Sequence, residues 1–126
     1  MTELHLLATW IGILGGFVSG AVLGLFFHEE KWLGGYGSWS RRMARLGHIS
    51  FFGLAFINLA FALSLQALEI TLSNPWPSWL FLAGAVTMPL VCFLSAWKKM
   101  FRHCFPVPVA CLLCAALLFL WKGVLS

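Results

Sequence analysis

Aspartate is absent from this sequence, and only 10% of its 126 residues are charged. The four acidic residues, Glu3, Glu29, Glu30 and Glu69, all fall at or near the ends of apolar runs. A proton or ion pathway through a bilayer normally needs ionisable side chains at depth, and none stands there. No phosphate-cradling loop, nucleophile elbow or dinucleotide fingerprint occurs, which removes the usual signatures of nucleotide and acyl-transfer chemistry. The two halves show no repeat, which weighs against a transporter built on internal symmetry. No basic leader precedes the first apolar run, so that run reads as a retained helix rather than a cleaved signal.

What is present is apolar. Hydrophobic residues make up 61% of the chain, and the mean hydropathy is +0.92. Predominantly apolar runs at Leu4–Phe27, Ile49–Leu68, Trp79–Trp97 and Pro106–Trp121 match a hydrocarbon core of about 30 Å. The expectation is an all-α integral membrane protein. It is a single four-helix transmembrane domain over residues 1–126, with helices near 4–28, 40–69, 78–98 and 106–122 in a small bundle with short loops. Pro106 and Pro108 fit only the start of the last helix. Trp76, Trp79, Trp97 and Trp121 stand at the ends of the spans, where interfacial tryptophans gather.

Lys31, Arg41, Arg42 and Arg45 precede the second span, and Lys98, Lys99 and Arg102 follow the third, so seven of the eight basic residues share one face. The positive-inside rule makes that face cytoplasmic. Both termini are then expected on the outer, periplasmic side of a bacterial inner membrane. The net charge of +4 is thus topological and implies no nucleic-acid partner. Arg41, Arg42, Arg45, Lys98, Lys99 and Arg102 are the candidates for contact with lipid headgroups.

Ala8, Gly12, Gly16, Gly20 and Gly24 recur every fourth residue, a glycine-zipper row that leads on to His28. On a helix this spacing carves a side-chain-free groove about 24 Å long. Membrane helices associate by close backbone approach, so the groove is expected to pack against another helix, a partner subunit, a second copy or a flat cofactor. Asn58 stands mid-span in the second helix, where its amide needs a partner on another helix. Gly47, Phe51, Leu54, Asn58, Phe61 and Leu65 share one face of that helix. Gly34, Gly35 and Gly37 mark a turn, Ser38 or Ser40 is the cap that follows it, and Ser73 to Pro77 form a stiff turn.

Two sets of residues carry potential chemistry. His28, His48 and His103 gather at the basic face, while His5 stands alone at the other end. Imidazoles from different helices are what axial ligation of haem b requires, with His48 the leading ligand and His28 or His103 its mate. His28 with Glu29 or Glu30 is a weaker donor set for a metal, and no metal site is expected. Cys111 and Cys114 form a C-x-x-C pair with Cys104 upstream, but the surroundings are wholly apolar and no second pair exists to relay electrons, so they read as small hydrophobes.

The resulting expectation is a small non-catalytic, structural subunit of a larger membrane complex, of the respiratory or another electron-transfer kind, docked through the glycine face of helix one. The alternative is a haem b-binding or quinone-associated membrane redox protein with interfacial histidine ligands.

Overall fold

The computed structural model describes all 126 residues and contains four long helices and no strands. They are α1 (Thr2–Phe26), α2 (Trp39–Ala67), α3 (Trp76–Trp97) and α4 (Pro106–Phe119), the last running on into a π-helical turn over Leu120–Val124. Short 3-10 segments, Trp32–Gly34 and Lys99–Cys104, occupy the connections at the basic face. All four helices are long and apolar enough to cross a membrane.

Local chemistry sets the ends. α2 begins at Ser38, whose hydroxyl accepts from Arg41 N at 3.2 Å and so satisfies one of the free donors of the first turn. Ahead of it the chain turns through Leu33, Gly34 and Gly35 at φ of 54°, 89° and 101°, a left-handed stretch that glycine enters at little cost. Pro77 and Pro106 stand in the first turns of α3 and α4, where a missing N–H costs nothing. Pro89 lies inside α3 and deprives the carbonyl of Ala85 of its usual donor.

α2 and α3 form the centre; α1 packs on α2 and α4 packs on α3. α1 and α4 share no substantial interface, so the arrangement is an open row rather than a closed ring. α1 and α3 meet only briefly, and between them, with α2 as its floor, lies an apolar groove of about 480 Å³ bordered by Ala8, Gly12, Phe51, Ala55, Ala85 and Pro89. Phe61 of α2 is the meeting point of all four helices. Its ring lies 4.6 Å from His5 of α1, 4.9 Å from Phe81 of α3 and 4.8 Å from Phe119 of α4.

Each neighbouring pair is locked by a side chain seated in a glycine notch. On α1, a Cβ at Gly16 would stand 2.5 Å from the Phe52 ring, and one at Gly20 would stand 2.6 Å from His48 Cε1. Gly12 faces Ala55 and the Phe51 carbonyl, whereas Gly24 faces open space. Between α2 and α3, Gly47 receives Phe93; between α3 and α4, Gly84 receives Leu112. The glycine row thus meets α2 of the same chain at Gly12, Gly16 and Gly20 and is open at Gly24. The row meets its partner internally because the helix that follows it is antiparallel and carries Ala55, Phe52 and His48 at matching heights.

Glycine replacements separate these roles. Gly16→Leu drives a side chain into Phe52 and is expected to destabilise the fold by about 1–3 kcal/mol, while Gly24→Leu leaves stability unchanged. Thermal unfolding in mild detergent reads both; equal effects at the two positions would contradict the packing.

Candidate functional site

The most elaborate polar arrangement lies at the terminus-bearing end, in the contact between α1, α2 and α3. His5, Asn58 and Ser78 are each fully buried. His5 Nδ1 stands 2.6 Å from Asn58 Oδ1, and Nε2 stands 2.5 Å from Ser78 Oγ. Asn58 Nδ2 donates to Leu54 O at 2.9 Å, which fixes the amide with its oxygen towards the imidazole. His5 Nδ1 is then the donor to Asn58, and Nε2 accepts from the Ser78 hydroxyl, so the neutral Nδ1–H tautomer satisfies every partner. Thr9, buried one turn along α1, donates to His5 O at 2.8 Å and lies 3.2 Å from Ala55 O. Every imidazole nitrogen and both amide atoms of the set are engaged. That is a fastening between helices with no free group to offer a substrate.

His5 is the residue the sequence reading passes over. The mid-span Asn58 was the available signal, because its amide had to meet a polar partner on a neighbouring helix. What the sequence does not contain is the height of α1 relative to α2.

At the opposite end Arg41 is fully buried. Its Nη2 donates to Glu29 O at 2.5 Å and reaches the carbonyls of Phe26 and Phe27 at 3.4 Å. These are carbonyls at and just beyond the end of α1, where the helix dipole is negative. The guanidinium carbon lies 4.4 Å from the ring centre of Tyr36, 5.1 Å from Phe27 and 5.4 Å from Trp32. Nε and Nη1 have no hydrogen-bond partner, and the aromatic faces are what surrounds them. Arg41 thus fastens the end of α1 to the start of α2. Its place among the headgroup candidates is corrected on this ground, since its charge is enclosed by carbonyls and rings.

The three histidines of the basic face have separate environments. His48 is half-buried; its Nδ1 lies 3.1 Å from Ser19 Oγ, and its Nδ1–Cε1–Nε2 edge is turned onto α1 at Gly20. Nδ1 is thus engaged by Ser19 on α1, and no hydrogen bond engages Nε2. His28 is exposed, with Nε2 3.9 Å from Glu29 Oε1, and His103 is exposed on the segment after α3. No three His, Cys, Asp or Glu side chains come together in a group able to hold a metal ion. All four cysteines are free thiols: Cys92 is buried, Cys111 half-buried, and Cys104 and Cys114 exposed.

Comparison with known protein families, with curated proteins and with solved structures finds no match.

A double-mutant cycle measures the fastening. His5→Ala leaves the Asn58 oxygen and the Ser78 hydroxyl buried without partners, and Asn58→Ala removes the same contact from the other side. The expected coupling between the two substitutions is about 1 kcal/mol, within the range seen for hydrogen bonds between membrane helices. Unfolding in mixed detergent micelles reads it; strictly additive effects would show that the bond carries no energy.

Proposed function

We propose that the chain is a small, non-catalytic structural subunit of a larger membrane assembly, inserted in a bacterial inner membrane with its basic loops in the cytoplasm. The observation that carries this reading is the use of the buried polar groups. His5, Asn58, Ser78, Thr9 and Arg41 are all spent on joining one helix to the next, and the groove left open between α1 and α3 is apolar. The partner is a transmembrane helix of another subunit. Its seat is the groove between α1 and α3, where Ala8, Gly12, Ala55 and Ala85 hold the walls back and permit close backbone approach. The docking surface proposed here thus takes in the end of the small-residue row at Ala8 and Gly12, while Gly16 and Gly20 are occupied by Phe52 and His48 of α2. An electron-transfer complex is one setting for such a subunit, but no residue geometry in the chain singles it out.

The redox alternative fits less well. It relies on His48, whose Nδ1 is engaged by Ser19, and on His28 and His103, which are exposed on separate connecting segments. Purified protein is expected to show no Soret absorbance; a stoichiometric haem band would reverse the order of the two readings.

Assembly is tested by size. In mild detergent the native chain is expected to migrate in a complex of defined stoichiometry larger than a monomer. Ala85→Leu, which fills the groove wall, is expected to reduce it to a monomer that still inserts. A native chain that is monomeric throughout would overturn the reading. Orientation is tested separately: with the other cysteines replaced, the exposed Cys104 should react with a membrane-impermeant maleimide in inverted vesicles and not in spheroplasts.

A further inference from the structure

The charges of the basic face divide into two groups that the sequence does not distinguish. One lies where the start of α2 meets the end of α3. Trp39, the first residue of α2, donates its indole N–H to Ser95 O of α3 at 2.9 Å, which ties the two helix ends together. Lys99 Nζ lies 5.3 Å from the centre of the Trp39 ring, and Lys98 Nζ lies 4.7 Å from that of Trp97. Arg102 Nη1 folds back to Lys99 O at 3.4 Å. Arg42 is one turn on from Trp39 and so projects from the same side of α2. All four cations are exposed, and the N-terminal end of α2 adds its positive dipole to them.

No carboxylate answers these charges. The only contact of ion-pair length in the chain joins His28 to Glu29. Glu3 begins α1 and Glu69 follows α2, both at the other end of the molecule, and Glu29 and Glu30 belong to the loop after α1. Four exposed cations on a short, tied stretch of surface therefore need counter-ions from outside. Beside them Trp97 and Met100 are exposed, a tryptophan at interfacial position and a flexible apolar side chain suited to the upper part of an acyl chain.

We propose that this junction is a binding site for the phosphate of an anionic phospholipid headgroup, held by Arg42, Lys98, Lys99 and Arg102. The charge is complementary, the aromatic positions are those of the headgroup boundary, and the Trp39–Ser95 bond gives the cations a fixed framework. The second group, Lys31 and Arg45, lies outside it. Arg45 donates to Tyr36 O at 3.2 Å, in the loop that encloses Arg41, and serves as a control of equal charge. The proposal does not rest on the assembly reading, because the isolated chain suffices to test it.

The measurement is lipid binding by native mass spectrometry of the full chain in detergent, with phosphatidylglycerol, cardiolipin and phosphatidylcholine as probes. The native chain is expected to retain the anionic lipids at least about tenfold more tightly than phosphatidylcholine. Lys98→Gln/Lys99→Gln should weaken anionic binding by about tenfold or more, and Lys31→Gln/Arg45→Gln, which removes the same charge, should leave it within about twofold. Trp39→Phe keeps an aromatic ring but loses the bond to Ser95, and should weaken binding with no loss of charge. Equal weakening by the two double variants would mean diffuse attraction by net charge and would overturn the site. So would indifference to headgroup charge, or displacement of the lipid by inorganic phosphate at equal concentration. Unchanged thermal unfolding of the exposed lysine variants confirms that a loss of binding is not a loss of fold.

Discussion

A buried amide in the middle of a helix long and apolar enough to cross a membrane must find a partner, and the bond between Asn58 and His5 is the contact on which the rest of the arrangement turns. One imidazole satisfies Asn58 of α2 through one nitrogen and Ser78 of α3 through the other, so three helices share a single height at that point. Once 5 is set against 58, the antiparallel register of α1 and α2 follows: Thr9 reaches Ala55, Gly16 receives Phe52, and Gly20 receives His48. A slide of α1 by one turn would leave the amide unpaired and would push each seated side chain against a different neighbour. Phe61, under the imidazole, extends the same meeting point to α4 through Phe119.

Directional contacts are needed because apolar burial discriminates poorly among helix arrangements in lipid. An aliphatic side chain gains little by leaving one hydrocarbon surroundings for another. Shape and hydrogen bonds then choose the structure. Shape acts at Gly16, Gly20, Gly47 and Gly84, where a ring or a leucine occupies the volume a side chain would have taken. Hydrogen bonds act at the His5 cluster and at Arg41, one near each end of α1. α1 leaves most of its surface uncovered, and these two fastenings with the notches between them are what hold it to α2.

The four spans and the glycine row were legible in the sequence because length, hydropathy and four-residue spacing are properties of one helix. The α2 face was legible for the same reason: Gly47, Leu54, Asn58, Phe61 and Leu65 are buried and Phe51 is half-buried. Relations between helices were not. A row of glycines announces a close neighbour without naming it, and at Gly12, Gly16 and Gly20 that neighbour is α2. Gly47 and Gly84 are isolated in the sequence, with no row to mark them, yet each receives a side chain from the next helix. His5 looked solitary because its partners lie 53 and 73 residues away. Arg41 looked like Arg42 and Arg45 because composition counts charges alike, and only the placement of α1's end beside it shows which arginine is enclosed.

The same division explains why the polar inventory of this chain argues for architecture. A site for chemistry keeps at least one reactive group unsatisfied until substrate arrives, and holds it near a space that substrate can enter. Here the two conditions are met apart. His5, Asn58 and Ser78 are paired to one another and Arg41 is enclosed by carbonyls and rings, while the largest open space, the groove between α1 and α3, is bordered by alanine, glycine, phenylalanine and proline. Polar fastening and open apolar space thus occupy separate places, the first between helices and the second along α1 and α3.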